Sequence, residues 1–105
     1  MKKNLSLIEE SVLACIPKKK PLSLKEVVSR RDISKITGLT LREVSYVIEE
    51  LRKYYPICSS RGSIGFWIGN KSEALTFANE CRNHAKGLIE TAENIEAMFD
   101  DEMLV

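Results

Sequence analysis

The sequence predicts a mainly α-helical fold with one small β-hairpin and a long C-terminal helix. Three observations favour it: two closely linked amphipathic helices in the middle of the chain, two short β-type runs after them, and a heptad pattern from Asn70 onwards. With 105 residues, 44% of them hydrophobic and 30% charged, the chain suits one domain with an appendage. We predict a domain over 1–69 and the long helix over 70–105.

The first predicted helix begins after Ser6 and ends near Pro17. Ser6 and Glu9 have the S-x-x-E spacing of a capping box, in which each side chain satisfies a free backbone amide of the first turn. Four apolar residues behind the box keep helical phase and are expected on the buried face: Ile8, Val12, Leu13 and Ile16.

A second capping box, at Ser23 and Glu26, predicts that another helix begins there. The apolar phase then slips. The slip predicts a break, with Ser29 or Asp32 capping the helix that follows. One continuous helix over 24–37 is the alternative.

The most informative stretch of the sequence follows this break. Ile33 and Ile36 suit the buried side of a short helix, and Gly38 stands where a helix stop needs a residue that tolerates positive φ. Thr40 and Glu43 form a third capping box. Four apolar residues then form one stripe: Val44, Val47, Ile48 and Leu51. A short helix, a glycine turn and a capped amphipathic helix make a helix-turn-helix, which lays its second helix in the major groove of DNA.

Two strands are predicted after this pair of helices, over 57–59 and 64–68, around a turn at 60–63. Gly62 can supply the positive φ of a tight hairpin. Phe66 and Trp67 alternate faces, so we expect one to cover the core and the other to be half-exposed. A hairpin directly after the second helix is the wing of a winged helix.

From Ser6 to Ile68 the pattern resembles winged helix-turn-helix DNA-binding domains, and among them small phage and prophage regulators. The stretches that carry the resemblance are Tyr55–Ser60, reading YPICSS, and Ile48–Arg52, reading IEELR. In such proteins the start of the second helix contacts the bases. The resemblance therefore implies base contacts from Thr40, Arg42, Ser45 and Tyr46. Basic side chains around this helix are the candidates for phosphate contacts: Arg30, Arg31, Lys35, Lys53 and, at the tip of the wing, Arg61.

The distribution of charge supports a polyanionic partner for the first part of the chain. Residues 1–70 carry 13 Lys and Arg against 7 Asp and Glu, a net charge of +6. Residues 71–105 carry 3 against 8, a net charge of −5. One segment is therefore suited to double-stranded DNA and the other is not. The alternative is that both segments are simply solvated surfaces.

The long helix is predicted to begin after Asn70 and to carry a heptad seam. Apolar residues recur at alternating steps of four and three: Ala74, Ala78, Cys81, Ala85, Leu88, Ala92, Ile95 and Phe99. Such a helix is too long to bury its whole seam on a domain of this size, so we expect a homodimer through the seam from Ala78 to Phe99. The rival arrangement is a helical hairpin broken at Gly87.

Several other classes of function are disfavoured by the sequence. No apolar run at the start is long enough for a signal peptide or membrane span, and three widely spaced cysteines favour reduced thiols in a cytoplasmic protein. Cys81 and His84 share a helix face, but two ligands do not make a metal site. No phosphate-binding glycine loop or hydrolase motif is present, so we expect neither an enzyme nor a cofactor.

The function predicted from the sequence is double-stranded DNA binding by a dimeric transcriptional regulator of phage or prophage type. The alternative is a winged-helix module for protein–protein interaction or replication, without sequence-specific DNA binding, because a fold does not fix a function.

Overall fold

The computed structural model describes residues 4–59 and 65–99. Within them the chain forms four α-helices, a short 3-10 helix and a two-stranded antiparallel sheet. In chain order the elements are α1 (Leu7–Cys15), the 3-10 helix (Leu24–Glu26), α2 (Arg30–Thr37), α3 (Leu41–Leu51), β1 (Ile57–Ser59), β2 (Phe66–Ile68) and α4 (Lys71–Met98). The mainly helical fold with a small hairpin and a long C-terminal helix is confirmed.

Each α-helix begins with a complete capping box, and these boxes set the helix boundaries. In each box the side chain of the N-cap residue accepts a hydrogen bond from the backbone N–H three positions later, and the side chain of that later residue accepts one from the backbone N–H of the N-cap residue. The four pairs are Ser6 with Glu9, Ser29 with Asp32, Thr40 with Glu43 and Asn70 with Glu73. Between the two candidate caps for α2, the structure selects Ser29. The continuous helix over 24–37 is wrong.

The capping box predicted at Ser23 is also wrong. The Ser23 side chain makes no capping hydrogen bond, and the Glu26 carboxylate instead accepts the backbone N–H of Leu22 at 3.0 Å. Only three residues form the 3-10 helix, because the chain beyond it is drawn into an extended conformation. The carbonyl of Val28 accepts the backbone N–H of Phe66 at 3.0 Å, and Ser29 bridges to Gly65.

The hydrophobic core lies among α1, α2, α3 and β1. Its eight buried side chains are Val12 and Ile16 from α1, Ile33 from α2, Val44, Val47, Ile48 and Leu51 from α3, and Ile57 from β1. Four of these come from α3 and form the stripe that the sequence predicted. This stripe holds α3 against the other two helices, which leaves its opposite face in solvent.

Two residues expected in the core are exposed. Ile36 keeps 70% of its surface accessible, since α2 turns Ile33, Ser34 and Thr37 inward and Ile36 lies on the opposite flank. Ile8 is 52% exposed at the edge of α1, where it borders α3 beside Tyr46. The expectation that these two residues lie on the buried face is therefore wrong, because each helix buries a narrower arc than its apolar spacing suggests.

The hairpin pairs Ile57 with Ile68, Cys58 with Trp67 and Ser59 with Phe66. The strand predicted over 64–68 begins at Phe66, and the predicted turn at 60–63, with Ile64, lies outside the described residues. As expected, the two neighbouring aromatic residues differ: Trp67 is buried and Phe66 is half-buried against the core. Backbone hydrogen bonds tie the hairpin to earlier loops, including Ile68 N–H to the carbonyl of Pro17 at 2.8 Å.

The helix α4 continues for 28 residues through Gly87, so the hairpin alternative is wrong. Among the described residues, only the first turns of α4 contact the rest of the fold. Trp67 donates its indole N–H to Glu73 at 3.3 Å, and the Arg52 guanidinium lies 4.9 Å from the ring centre of Phe77. From residue 79 to residue 99 every side chain is exposed. Among the described helices, α4 included, none has the length and apolar character needed to cross a bilayer.

Candidate nucleic-acid interface

The connection between α2 and α3 is fixed by local hydrogen bonds. Gly38 has a φ of 81°, which is left-handed, and donates its N–H to the carbonyl of Ser34 at 2.9 Å. The Ser34 hydroxyl donates to the carbonyl of Leu39, whose side chain packs against the core. The turn therefore sets the angle at which α3 leaves α2, and with it the direction of the exposed face of α3.

The exposed face of α3 carries polar side chains. Arg42, Tyr46, Glu49 and Lys53 are all exposed, and Tyr46 keeps 66% of its surface. Acidic groups on this face have basic neighbours. Glu49 lies 3.2 Å from Arg52, and Glu50 lies 3.1 Å from Lys53. These two carboxylates and two basic groups therefore add no net charge to the polar face.

A groove lies between the start of α2, one flank of α3 and the hairpin, and we call it the arginine groove. This groove is open to solvent and has a volume of about 660 Å³. Its polar lining consists of three arginines, three hydroxyls and one carboxylate: Arg30, Arg31, Arg52, Ser29, Ser45, Ser59 and Glu49. Leu41, Ile48 and Phe66 supply its apolar lining. Three guanidinium groups against one carboxylate give this groove a positive charge.

Arg30 and Arg31 reach this groove from the first turn of α2. The Nη1 of Arg30 donates to the Oγ of Ser45 at 2.8 Å, which joins α2 to α3 across the groove. Beside them, Asp32 is committed to capping. The Ser29 backbone N–H, followed by the Ser29 hydroxyl, holds the pKa of Asp32 below its ordinary value, and the positive charges of Lys35 and Arg31 add to the effect.

Arg52 is the residue of this groove that sequence reasoning missed. Its guanidinium donates to the Ile57 carbonyl at 3.0 Å, to Glu49 at 3.2 Å and to the Ser59 hydroxyl at 3.3 Å. It also lies near the rings of Phe66 and Phe77, at 5.9 and 4.9 Å from their centres. Arg52 therefore locks the end of α3 to the hairpin and α4. One signal was available, since Arg52 follows Ile48 by four residues and so borders the buried stripe.

A second groove lies on the other flank of α3, facing α1. It is lined by Arg42 and Tyr46, together with the carboxylates of Glu9, Glu43 and Glu50. Its charge is therefore opposite to that of the arginine groove. Glu43 is engaged at the N-cap, where the backbone N–H of Thr40, and then the Thr40 hydroxyl, hold its pKa below the ordinary value.

The structure thus brings together some of the predicted DNA-binding residues and separates others. Arg30, Arg31 and Ser45 share the arginine groove, whereas Arg42 and Tyr46 line the second groove. The remaining predicted residues have other positions. Thr40 caps α3, Lys53 is bonded to Glu50, Lys35 is exposed on α2, and Arg61 lies outside the described residues.

The predicted dimerisation seam lies along α4. Ala78 is half-buried beside the hairpin, and the other six positions are exposed: Cys81, Ala85, Leu88, Ala92, Ile95 and Phe99.

Within residues 4–59 and 65–99, no group of three His, Cys, Asp or Glu side chains could hold a metal ion. Of the three cysteines, Cys58 is buried, and burial, then the charge of Glu73, raises the pKa of its thiol.

A comparison with protein-family models, curated proteins and solved structures found no match to the chain.

Proposed function

We propose that the chain binds double-stranded DNA and regulates transcription, with α3 as the recognition helix of a winged helix-turn-helix. The observation that carries this proposal is the arginine groove, in which Arg30 and Arg31 stand beside the exposed face of α3. A positive groove next to the exposed polar face of α3 suits the two kinds of contact that DNA offers. Guanidinium groups meet the phosphates, and side chains on the helix reach base edges.

The pairing of charges on α3 also supports this proposal. Glutamates on a recognition helix would repel DNA, but Glu49 and Glu50 each have a basic partner within 3.2 Å. Arg30 and Arg31 are on a different helix from these glutamates. They add positive charge beside α3 without any loss of that pairing. Thr40, Arg42, Ser45 and Tyr46 remain our proposed base contacts.

The regulatory role rests on the resemblance carried by Tyr55–Ser60 and Ile48–Arg52, and a cytoplasmic site of action goes with it. A protein–protein or replication module is the second candidate. It is favoured by the carboxylates of Glu9, Glu43 and Glu50 in the groove between α1 and α3, which would disfavour DNA on that flank.

The proposal is tested by fluorescence anisotropy with a labelled random-sequence duplex. Arg31→Ala removes a charge from the arginine groove, and we expect weaker binding to every duplex. Lys86→Ala is the matched control, because it removes one positive charge from the exposed part of α4, away from the groove. Equal affinities for both variants and the wild type, or no binding by any of them, would favour the protein–protein module instead.

A further inference from the structure

The exposed part of α4 presents an apolar face that no residue of the described ranges, 4–59 and 65–99, covers. From residue 79 to residue 99 every side chain is exposed, and the larger apolar ones keep half or more of their surface. They are Leu88 at 58%, Ile89 at 59%, Ile95 at 52%, Met98 at 71% and, at the C-cap of the helix, Phe99 at 50%. Large apolar side chains exposed together along one helix mark a candidate interaction surface.

We propose that this face pairs with the same face of a second copy as an antiparallel coiled coil, centred near residue 90. In this register, two seam residues of opposite chains face each other when their residue numbers add up to 180. Cys81 then faces Phe99, Ala85 faces Ile95, and Leu88 faces Ala92, each in both directions. The proposal concerns α4 alone and holds whether or not the chain binds DNA.

The match of side-chain volumes supports the antiparallel arrangement. In every one of these layers a small side chain opposes a large one, which is how layers fill at constant helix separation. A parallel pair would place each residue opposite its own copy. Layers of two alanines at positions 85 and 92 would then alternate with layers of two leucines at position 88 or two isoleucines at position 95. Those layers demand different distances between the helices, so the parallel pair packs poorly.

Charge provides a separate argument for the same register. Arg82 and Glu96 flank the seam, each one position after a seam residue, and both are exposed. In an antiparallel pair, equivalent flanking positions face each other. Arg82 of one chain therefore meets Glu96 of the other at both ends, and Ile89 meets its own copy at the centre. In a parallel pair, Arg82 would face Phe77 and Glu96 would face Thr91, with no ion pair.

The boundaries of the free surface fit this register as well. The seven-residue shift to the next antiparallel register on one side would bring the partner against Ala74 and Ala78, which are half-buried beside the hairpin. It would also place Arg82 opposite Ile89 and Cys81 opposite Ala92. The shift to the other side would leave Leu88 facing Phe99, two large side chains. The register centred near residue 90 begins where contact with the chain's own domain ends.

This dimer sets the two domains at opposite ends of the coiled coil. At 1.5 Å per residue, Ala74 of one chain lies about 48 Å along the helix axis from Ala74 of the other. A parallel dimer would place the two domains side by side.

Cysteine cross-linking of the full chain tests both partner and orientation. Cys81→Ser provides the background, since Cys81 is the exposed thiol among the three cysteines. Ala85→Cys and Ile95→Cys are then made separately in this background. Both positions are exposed on α4, so neither change disturbs the core. The samples are treated with a mild oxidant or a short bifunctional maleimide, alone and as a mixture.

We expect a covalent dimer in the mixture of the two variants and none in either variant alone, with sedimentation equilibrium showing a dimer throughout. The Cys81→Ser parent is the control and should not cross-link. A covalent dimer from either variant alone would establish the parallel arrangement and overturn the proposal. A monomer in sedimentation with no cross-link in the mixture would overturn the dimer itself.

Discussion

The Nη1 atom of Arg30 lies 2.8 Å from the Oγ atom of Ser45, so the first turn of α2 is joined to α3 beside its exposed face. This bond holds a positive charge in the lining of the arginine groove. In the DNA complex that we propose, with α3 in the major groove, a charge in this position is suited to a phosphate contact.

Arg30→Ala is therefore expected to weaken binding to all duplexes alike. It should also make the negative slope of log affinity against log salt shallower by about 0.9, because one phosphate contact is lost. Arg30→Lys keeps the charge and should retain most of the slope, although lysine lacks the planar fork of arginine. The measurement is a set of anisotropy titrations over a range of salt. An Arg30→Lys slope as low as that of Arg30→Ala would mean that charge is not what Arg30 contributes.

Arg52 is expected to matter for stability. Arg52→Ala removes hydrogen bonds to the Ile57 carbonyl, Glu49 and Ser59. The part-buried carbonyl then loses this donor, so we expect the free energy of unfolding to fall by about 1–3 kcal/mol. The neighbouring Lys53→Ala is the matched control. The Lys53 side chain is 62% exposed and is bonded only to Glu50 among the described residues. Its loss should lower the free energy of unfolding by less than about 0.5 kcal/mol. Urea denaturation followed by the fluorescence of Trp67 measures both, and equal effects would contradict this role for Arg52.

Two glycines are expected to respond to alanine with opposite signs. Gly38 has a φ of 81°, and an added Cβ would meet nothing within 4 Å. Gly38→Ala should therefore destabilise the fold by about 1–2 kcal/mol, because alanine is strained in the left-handed backbone conformation. Gly87 lies inside α4 with open space around it, so Gly87→Ala should stabilise the helix by up to about 1 kcal/mol. Thermal melts followed by circular dichroism give both signs, and a stabilising Gly38→Ala would exclude the left-handed turn.

The capping carboxylate of Glu43 is expected to make stability depend on pH. Its bond from the Thr40 backbone N–H, at 2.9 Å, lowers its pKa in the folded chain. The unfolded chain therefore binds the proton more readily. The stabilisation is complete well above the unfolded pKa of about 4.3 and is lost as the pH falls from there through the lowered folded pKa.

Glu43→Gln keeps an oxygen acceptor for the same bond and cannot titrate. We expect its thermal stability to fall less steeply than that of the wild type below about pH 4.3, the ordinary glutamate value. Glu10→Gln is the control, because Glu10 is exposed in α1 and is not a capping residue. Parallel curves for the wild type and Glu43→Gln would show that the cap does not contribute to acid sensitivity.

The parts of the fold that sequence could predict are those determined by neighbouring residues. The capping boxes at Ser6 and Thr40 and the stop at Gly38 depend on side chains within four positions, and each was found where expected. The stripe on α3 was equally clear, because four apolar residues on one face of an eleven-residue helix leave a single direction for burial.

What could not be predicted depends on partners far along the chain. Ser23 failed as a cap because the backbone after it pairs with the hairpin near Phe66, and no local pattern announces that contact. Arg52 resembles an ordinary surface residue until the hairpin and Phe77 close around it. The split of Arg30 and Arg42 between two grooves likewise follows from packing, which brings α2 to one flank of α3 and α1 to the other.

The most direct test of the proposed function is a salt-dependent titration of the wild-type chain against a random-sequence duplex. We expect measurable binding at low salt, with log affinity falling linearly against log salt at a slope of about −0.9 for each phosphate neutralised. A slope of about −2 or steeper would fit phosphate contacts from at least Arg30 and Arg31. The absence of duplex binding at low salt, or an affinity that does not change with salt, would contradict the account.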